Sequence, residues 1–184
     1  MAMIAPVDPV VLRDARLLDA PACAGIYAHH VRHGFATFDT EPPSAGRFAQ
    51  RIAEVGAAGW PWLVAESQRA GVVGYAYATQ LRDRPGYRFA CEDSIYVAQD
   101  WRGRGVGRAL LAELVARCAA LGFRQMIAVV GGGEPASLAL HRRLGFAEVG
   151  RLRAVGWKLG AWRDSVYLQR SLGAGDRLGG EGTG

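Results

Sequence analysis

The chain has 184 residues, 50% of them hydrophobic and 21% charged, which suits one globular domain with a sizeable core. Its net charge of +5 and pI of about 9.5 are compatible with an anionic ligand, but no basic stripe interleaved with aromatics points to nucleic acid. Cys23, Cys91 and Cys118 are widely spaced without a CxxC, which argues against a disulfide framework or a zinc site and fits a reducing compartment.

The N-terminal stretch has no charged segment followed by an apolar run, and no apolar run approaches the ~20 residues of a membrane span. A cytoplasmic protein without membrane contact is expected. "VVLRDA" reads as a first strand. Asp19 is then expected to N-cap the helix "APACAGIYAHHVRHG", with Pro21 in its first turn and Gly34 as its stop. "FATFDTEPP" is a loop, and Ser44 opens a second helix with Phe48, Ile52 and Val55 on one face. "WPWLVAES" and "GVVGYAYATQL" read as a two-stranded hairpin, "RDRPGYR" as a loop and "FACEDSIYVA" as the next strand. A long helix follows, with Leu110, Leu111, Leu114, Val115, Cys118 and Leu121 as its apolar stripe. "RQMIAVV" is another strand and "PASLALHRRLG" a short helix. "FAEVGRLRAVGWKLGAWRD" reads as an extended segment with turns, "SVYLQRSL" as a last strand. The fold class is a mixed α/β (α+β) domain spanning residues 1–172, and the Gly-rich tail 173–184 is expected to be disordered.

The turn between the fourth strand and the long helix reads "RGRGVGR". First-turn N–H groups of a helix lack intrahelical partners, the helix dipole adds positive charge, and glycines let an anion reach the backbone. Arg102, Arg104 and Arg108 add cationic side chains, so the local physics describes a site for phosphate or pyrophosphate. A Walker loop or a dinucleotide fingerprint would need glycine at position 108, which is Arg. A plain solvated turn would not need so many glycines.

The remaining pattern, R-x-x-G-x-G from Arg102 to Gly107, resembles the pyrophosphate loop of the GNAT superfamily of acyl-CoA-dependent N-acetyltransferases, and "ASLALHRRLGF" resembles that family's second signature. From about Val11 to Leu172, "FDTEP", "PWLVAE", "GYAYA", "CEDSIYV", "LHRRLGF" and "LRAVGWKLGAWRD" look like the phosphinothricin acetyltransferase branch, which includes enzymes acting on methionine sulfoximine and methionine sulfone. The resemblance implies a mostly antiparallel twisted sheet with two splayed parallel strands, acetyl-CoA as co-substrate, no metal, a small amine substrate and a homodimer. It also implies roles. Glu92 matches the general base, and His141 a group that protonates the departing thiolate or helps deprotonate the amine. Ile95, Tyr96 and Val97 would bind the pantetheine arm, and Arg102, Gly103, Arg104, Gly105, Val106, Gly107 and Arg108 the pyrophosphate, with Ser137 a further cofactor contact. Arg82, Arg84, Tyr87 and Phe38 match the substrate-binding set; Arg suits an acidic group because its planar fork binds carboxylate or phosphinate with two bonds.

At position 134 the resembled family usually has Asn; here stands Glu134, at a helix start where a carboxylate can cap free N–H groups instead of touching the cofactor. Strand alternation puts Glu92 and Ser94 on one face and Asp93 on the other. His29 and His33 lack a third metal ligand, and Cys91 lacks a base and an orienting partner. The competing functions are acetylation of another amine, such as an antibiotic or a peptide N-terminus, and a non-catalytic acyl-CoA-binding module. A polyamine would be repelled by Arg82, Arg84 and Arg88.

Overall fold

The computed structural model describes residues 8–177. Seven strands form one sheet: β1 (Val10–Asp14), β2 (Trp62–Ser67), β3 (Gly71–Gln80), β4 (Ala90–Val97), β5 (Gln125–Gly131), β6 (Ala147–Lys158) and β7 (Ala161–Ser171). Their order is β1-β2-β3-β4-β5-β7-β6, antiparallel throughout except for the β4/β5 pair. Four helices flank it: α1 (Ala20–His33), α2 (Ala45–Ala57), α3 (Val106–Ala120) and α4 (Pro135–Arg143).

Alternation in β2 and β3 divides the core in two. Leu63, Ala65, Ala76 and Ala78 meet Leu110, Leu111, Leu114 and Cys118 of α3, with Leu138 of α4 at the edge. Trp62, Val64 and Tyr75 meet Ile26 of α1 and Phe48, Ile52 and Val55 of α2. Because both faces are covered, β2 is an almost continuous apolar run rather than an alternating one. Ser44 caps α2 as expected, accepting the Arg47 N–H at 3.2 Å.

Three expectations are corrected. Asp19 does not cap α1: its carboxylate accepts from Arg13 Nη1 and Nη2 (2.7 and 2.9 Å) and from the Arg16 N–H (2.7 Å), because a charged donor from β1 outcompetes the helix N–H groups. Leu121 lies beyond the last turn of α3 and is exposed. The segment read as extended with turns is β6, a tight turn and the first residues of β7, paired as a β6–β7 hairpin that breaks register twice. Being an edge strand exposed along most of its length, β6 lacks the alternation that would have announced it. Residues 173–177 of the tail form a turn, with the Gly175 N–H bonded to the Leu172 carbonyl at 2.9 Å; the rest of the tail lies outside the described residues. No described helix is long and apolar enough to cross a membrane.

The feature that places the site is the β4/β5 ladder. It runs from Ala90↔Gln125 to Asp93↔Ala128 and stops. Beyond that point β4 continues against β3 as far as Val97, while β5 continues against β7 as far as Gly131. The two strands part, and the expected splay is present.

Candidate active site

A cleft of about 710 Å³ opens where β4 and β5 separate. Its walls bring together Phe38, Glu92, Ile95, Tyr96, Val97, Arg102, Gly103, Gly105, Gly107, Arg108, Glu134, Ser137 and His141 from distant parts of the chain. The Ala98 N–H bonds the Val73 carbonyl, which sets the phase of the ladder. Ile95 and Val97 therefore turn their backbone N–H and C=O groups away from β3 and into the gap, where no strand takes them.

At the mouth, β4 passes through a 3-10 turn at Gln99–Trp101 into α3. Gly103 and Gly105 have φ of 72° and 85°, and a Cβ added at either would meet nothing within 4 Å. Glycine is required there by the backbone conformation, and the space above the turn is open to a ligand. Arg102 and Arg108 line the cleft. Arg104 does not; its guanidinium stacks over Trp101, 5.1 Å from the ring centroid. Val106 is buried beneath the turn in the core and does not line the cleft.

Glu92 and Asp93 stand at the last two rungs of the parallel ladder and point to opposite faces. Glu92 is half-buried on the α1/α2 side, and its carboxyl is held above the ordinary range by burial and then by Asp93, against the pull of Arg82 and Arg51. Asp93 faces α4. Its Oδ2 lies 3.1 Å from His141 Nε2, both side chains being almost wholly buried. His141 Nδ1 donates to the Ser137 carbonyl at 2.8 Å. Burial alone would lower the imidazole's pKa, but the hydrogen bond and charge of Asp93 and the Ser137 carbonyl outweigh it, and the net displacement is upward. Asp93 was not among the sequence candidates. The signal was there: alternation placed a carboxylate on a packed face, where it must find a donor.

His30 is a second residue that sequence reasoning passed over. Its Nε2 lies 3.1 Å from the Val97 carbonyl and its Nδ1 3.1 Å from Arg102 Nη2. Arginine cannot accept, so Nδ1 is the acceptor and Nε2 carries the proton. The ring is a neutral spacer between the diverging strand and the turn; burial, then Arg102, holds its pKa down at about 4 despite the Val97 carbonyl. Lys158, the only lysine of the chain, is 3% exposed and donates to the carbonyls of Thr37 (2.7 Å) and His30 (3.3 Å).

Glu134 is corrected in one respect. It occupies the position before α4, but its side chain makes no capping bond, and it lines the cleft instead. A Glu side chain is longer than those of the favoured capping residues, and Pro135 removes one of the N–H groups it could have served. On the α1/α2 side a second chamber of about 670 Å³ shares Phe38 with the cleft. Its floor is Trp62, Tyr75 and Tyr77, and its rim carries Arg47, Arg51, Asp39 and Glu41. Trp62 and Tyr77 stack at 4.2 Å, and Arg51 lies over Tyr77 at 5.4 Å. Arg82, Arg84 and Tyr87 all sit on the exposed 82–88 loop and line neither cavity; of that set only Arg82 comes near enough for its charge to act on Glu92.

The sequence pattern of the Acetyltransferase (GNAT) family matches residues 24–146. The chain belongs to the GNAT family. Among its relatives, a phosphinothricin N-acetyltransferase of Alcaligenes faecalis is 52% identical over 159 residues, covering 86% of this chain and 80% of that protein. An L-methionine sulfoximine/L-methionine sulfone acetyltransferase of Pseudomonas paraeruginosa is 36% identical over 161 residues, covering 88% and 94%. The crystal structure of a GNAT superfamily phosphinothricin acetyltransferase from Sinorhizobium meliloti in complex with AcCoA superposes with a TM-score of 0.90 at 48% identity, over 92% of this chain and 91% of that one. In this GNAT domain the splayed strands, the glycine turn and the α4 histidine occupy one continuous cleft.

Proposed function

We propose that the protein is an acetyl-CoA-dependent N-acetyltransferase acting on the α-amine of a small, acidic, amino-acid-like compound of the phosphinothricin, methionine sulfoximine or methionine sulfone type. The observation that carries this reading is the placement of Glu92: a half-buried carboxylate with a raised pKa, at the point where β4 and β5 part, on the face toward the amine chamber. The two named relatives support the substrate class.

The residues present fit acetyl-CoA. The bare turn at Gly103–Gly105, with Arg102 and Arg108, suits its pyrophosphate, and the backbone groups of Ile95 and the Val97 N–H, left without a strand partner, suit its amide-bearing arm. When bound, acetyl-CoA supplies an activated acetyl group as a thioester. Glu92 accepts a proton from the substrate ammonium or amine, directly or through water, and its raised pKa makes it a stronger base than an exposed carboxylate. Phe38 walls the chamber, and Arg82 with Arg51 offers cations to the acidic group. An intact base at the strand separation disfavours a non-catalytic acyl-CoA-binding module. The test is thiol release from acetyl-CoA with phosphinothricin, methionine sulfoximine, methionine sulfone, common amino acids and aminoglycosides. Turnover of the first three is expected, and turnover of aminoglycosides alone would refute the substrate class.

We also read the molecule as a cytoplasmic homodimer. Three buried free thiols accord with a reducing compartment. Val149, Leu152, Val155, Trp157, Leu159 and Trp162 stand exposed on the β6–β7 hairpin at the sheet edge, a patch suited to a second copy. Sedimentation equilibrium tests this: a monomer at micromolar concentration would exclude it.

A further inference from the structure

We propose that His30 is a positioning residue for the cofactor: its neutral ring holds the Arg102 guanidinium at the cleft mouth as an uncompensated cation for the pyrophosphate, and fixes that cation to the end of the strand that receives the pantetheine arm. This rests on the acetyl-CoA reading above and adds to it a residue of α1, outside the strand and turn that the sequence pattern marks.

The last turn of α1 delivers the ring to the cleft. His30 is 5% exposed and lines it, as does Arg102. The His30 carbonyl accepts from the Gly34 N–H at 3.1 Å and from buried Lys158 Nζ at 3.3 Å, so this end of the helix is tied to β6. Tyr96 and His29 meet the ring edge-on, with centroids 5.3 and 5.9 Å away. A ring packed and anchored in this way has little rotamer freedom left to lose in making further bonds.

Its two nitrogens have opposite duties. Nδ1 accepts from Arg102 Nη2 and Nε2 donates to the Val97 carbonyl, each at 3.1 Å. Only the neutral Nε2–H tautomer satisfies both. Burial holds the ring's pKa down at about 4 against the Val97 carbonyl, and the charged groups facing it, Arg102, His29 and Lys158, act in the same direction as burial. The ring is therefore uncharged near neutral pH.

The choice of a neutral partner is what an anion site needs. Among the described residues no carboxylate lies within ion-pair distance of Arg102, whereas Arg13, Arg117, Arg142 and Arg151 each have one. A carboxylate would fix the guanidinium but would also neutralise it and compete with phosphate for its N–H groups. An imidazole acceptor takes one N–H and leaves the charge and the other donors free. Arg102 is otherwise an exposed, rotamer-rich side chain, whose freedom would be lost on binding if nothing held it beforehand. The bond to Val97 adds a distance constraint. Val97 ends β4, so one rigid ring spans from the strand that meets the arm to the arginine that meets the pyrophosphate.

The test is calorimetry of the full chain with two probes: CoA, and pantetheine, which lacks the pyrophosphate. His30→Phe keeps a ring of similar shape and removes both bonds. It is expected to weaken CoA by about tenfold, the scale of a hydrogen bond to a charged group, and pantetheine by less than about twofold. His30→Gln carries an acceptor and a donor on neighbouring atoms and should keep CoA within about threefold of wild type. In an Arg102→Met background His30→Phe should cost CoA nothing further. ¹⁵N NMR of the wild type, with the His30 signals identified by their loss in His30→Phe, should show a proton on Nε2 alone. Should His30→Phe not fold, His30→Asn, too short to span both partners, carries the same expectations. Equal losses for the two probes would reduce His30 to a brace for the strand and overturn the proposal. So would wild-type CoA affinity in His30→Phe, full additivity with Arg102→Met, an Nδ1–H or doubly protonated ring, or a wild-type chain that does not bind CoA. A chain that shows the expected binding pattern yet acetylates none of the panel amines would uphold this role of His30 and refute the transferase reading alone.

Discussion

Gly156 offers a sharp perturbation of the amine side. It lies in β6 directly under Phe38, and a Cβ added there would stand 2.5 Å from Phe38 Cζ and nearer still to two other ring carbons. Ordinary van der Waals contact begins near 3.4 Å. The ring would therefore have to retreat by about 1 Å, since a packed site leaves a rigid ring nowhere to compress. Gly156 is not in the left-handed region, so alanine fits its backbone and the effect is steric alone. Phe38 cannot yield freely, because the Thr37 carbonyl beside it is held by buried Lys158 at 2.7 Å. Overpacking of this kind costs about 1–3 kcal/mol of stability. A displacement of that size at a substrate wall can cost about 10²-fold in rate. Gly156→Ala is accordingly expected to lower kcat/KM for the amine by about that factor while leaving the KM for acetyl-CoA nearly unchanged, measured by thiol release with each substrate varied in turn. In a Phe38→Ala background Gly156→Ala should add nothing further. Unchanged amine kinetics in a folded Gly156→Ala, or full additivity with Phe38→Ala, would refute the role of Phe38 as the wall.

Glu92→Gln should lower turnover by ~10²–10⁴ with little change in acetyl-CoA affinity. In the wild type the acid limb of kcat/KM should lie above the ordinary carboxylate range, because burial and Asp93 raise the Glu92 pKa; the variant should lose that limb. Gly105→Val should abolish acetyl-CoA binding by calorimetry, because φ of 85° strains a β-branched residue and its side chain would fill the space above the turn. Asp19→Ala should cost about 2 kcal/mol in denaturant melts. The Asp19 pKa is depressed by Arg13 and by the Arg16 N–H, so its contribution is present above the unfolded carboxylate pKa and is lost as pH falls; the wild-type advantage should fade in acid.

Most of the element order was legible because its causes are local. The glycine-rich turn announces a helix start open to an anion, β2 and β3 declare burial by their apolar runs, and Ser44 caps the helix it precedes. The motif positions from Arg102 to Arg108, together with Glu92 and His141, were legible through resemblance. The sequence could not say which of them share a wall: Arg104 turns out onto Trp101, while Arg84 and Tyr87 stay on an exposed loop. β6 was obscure because an edge strand buries too little to alternate.

What tertiary structure alone decided are the pairings that set protonation and position. His141 meets Asp93 across 48 residues, His30 meets Arg102 across 72, and Lys158 reaches the Thr37 carbonyl across 121. Each joins a polar group to a partner that no local rule selects. The pairing exists because the fold buries both, and a buried polar group must be satisfied wherever its partner lies in the chain. The sequence by itself determined which groups could donate or accept; only the packing of α4 and α1 against the parted strands decided which of them do.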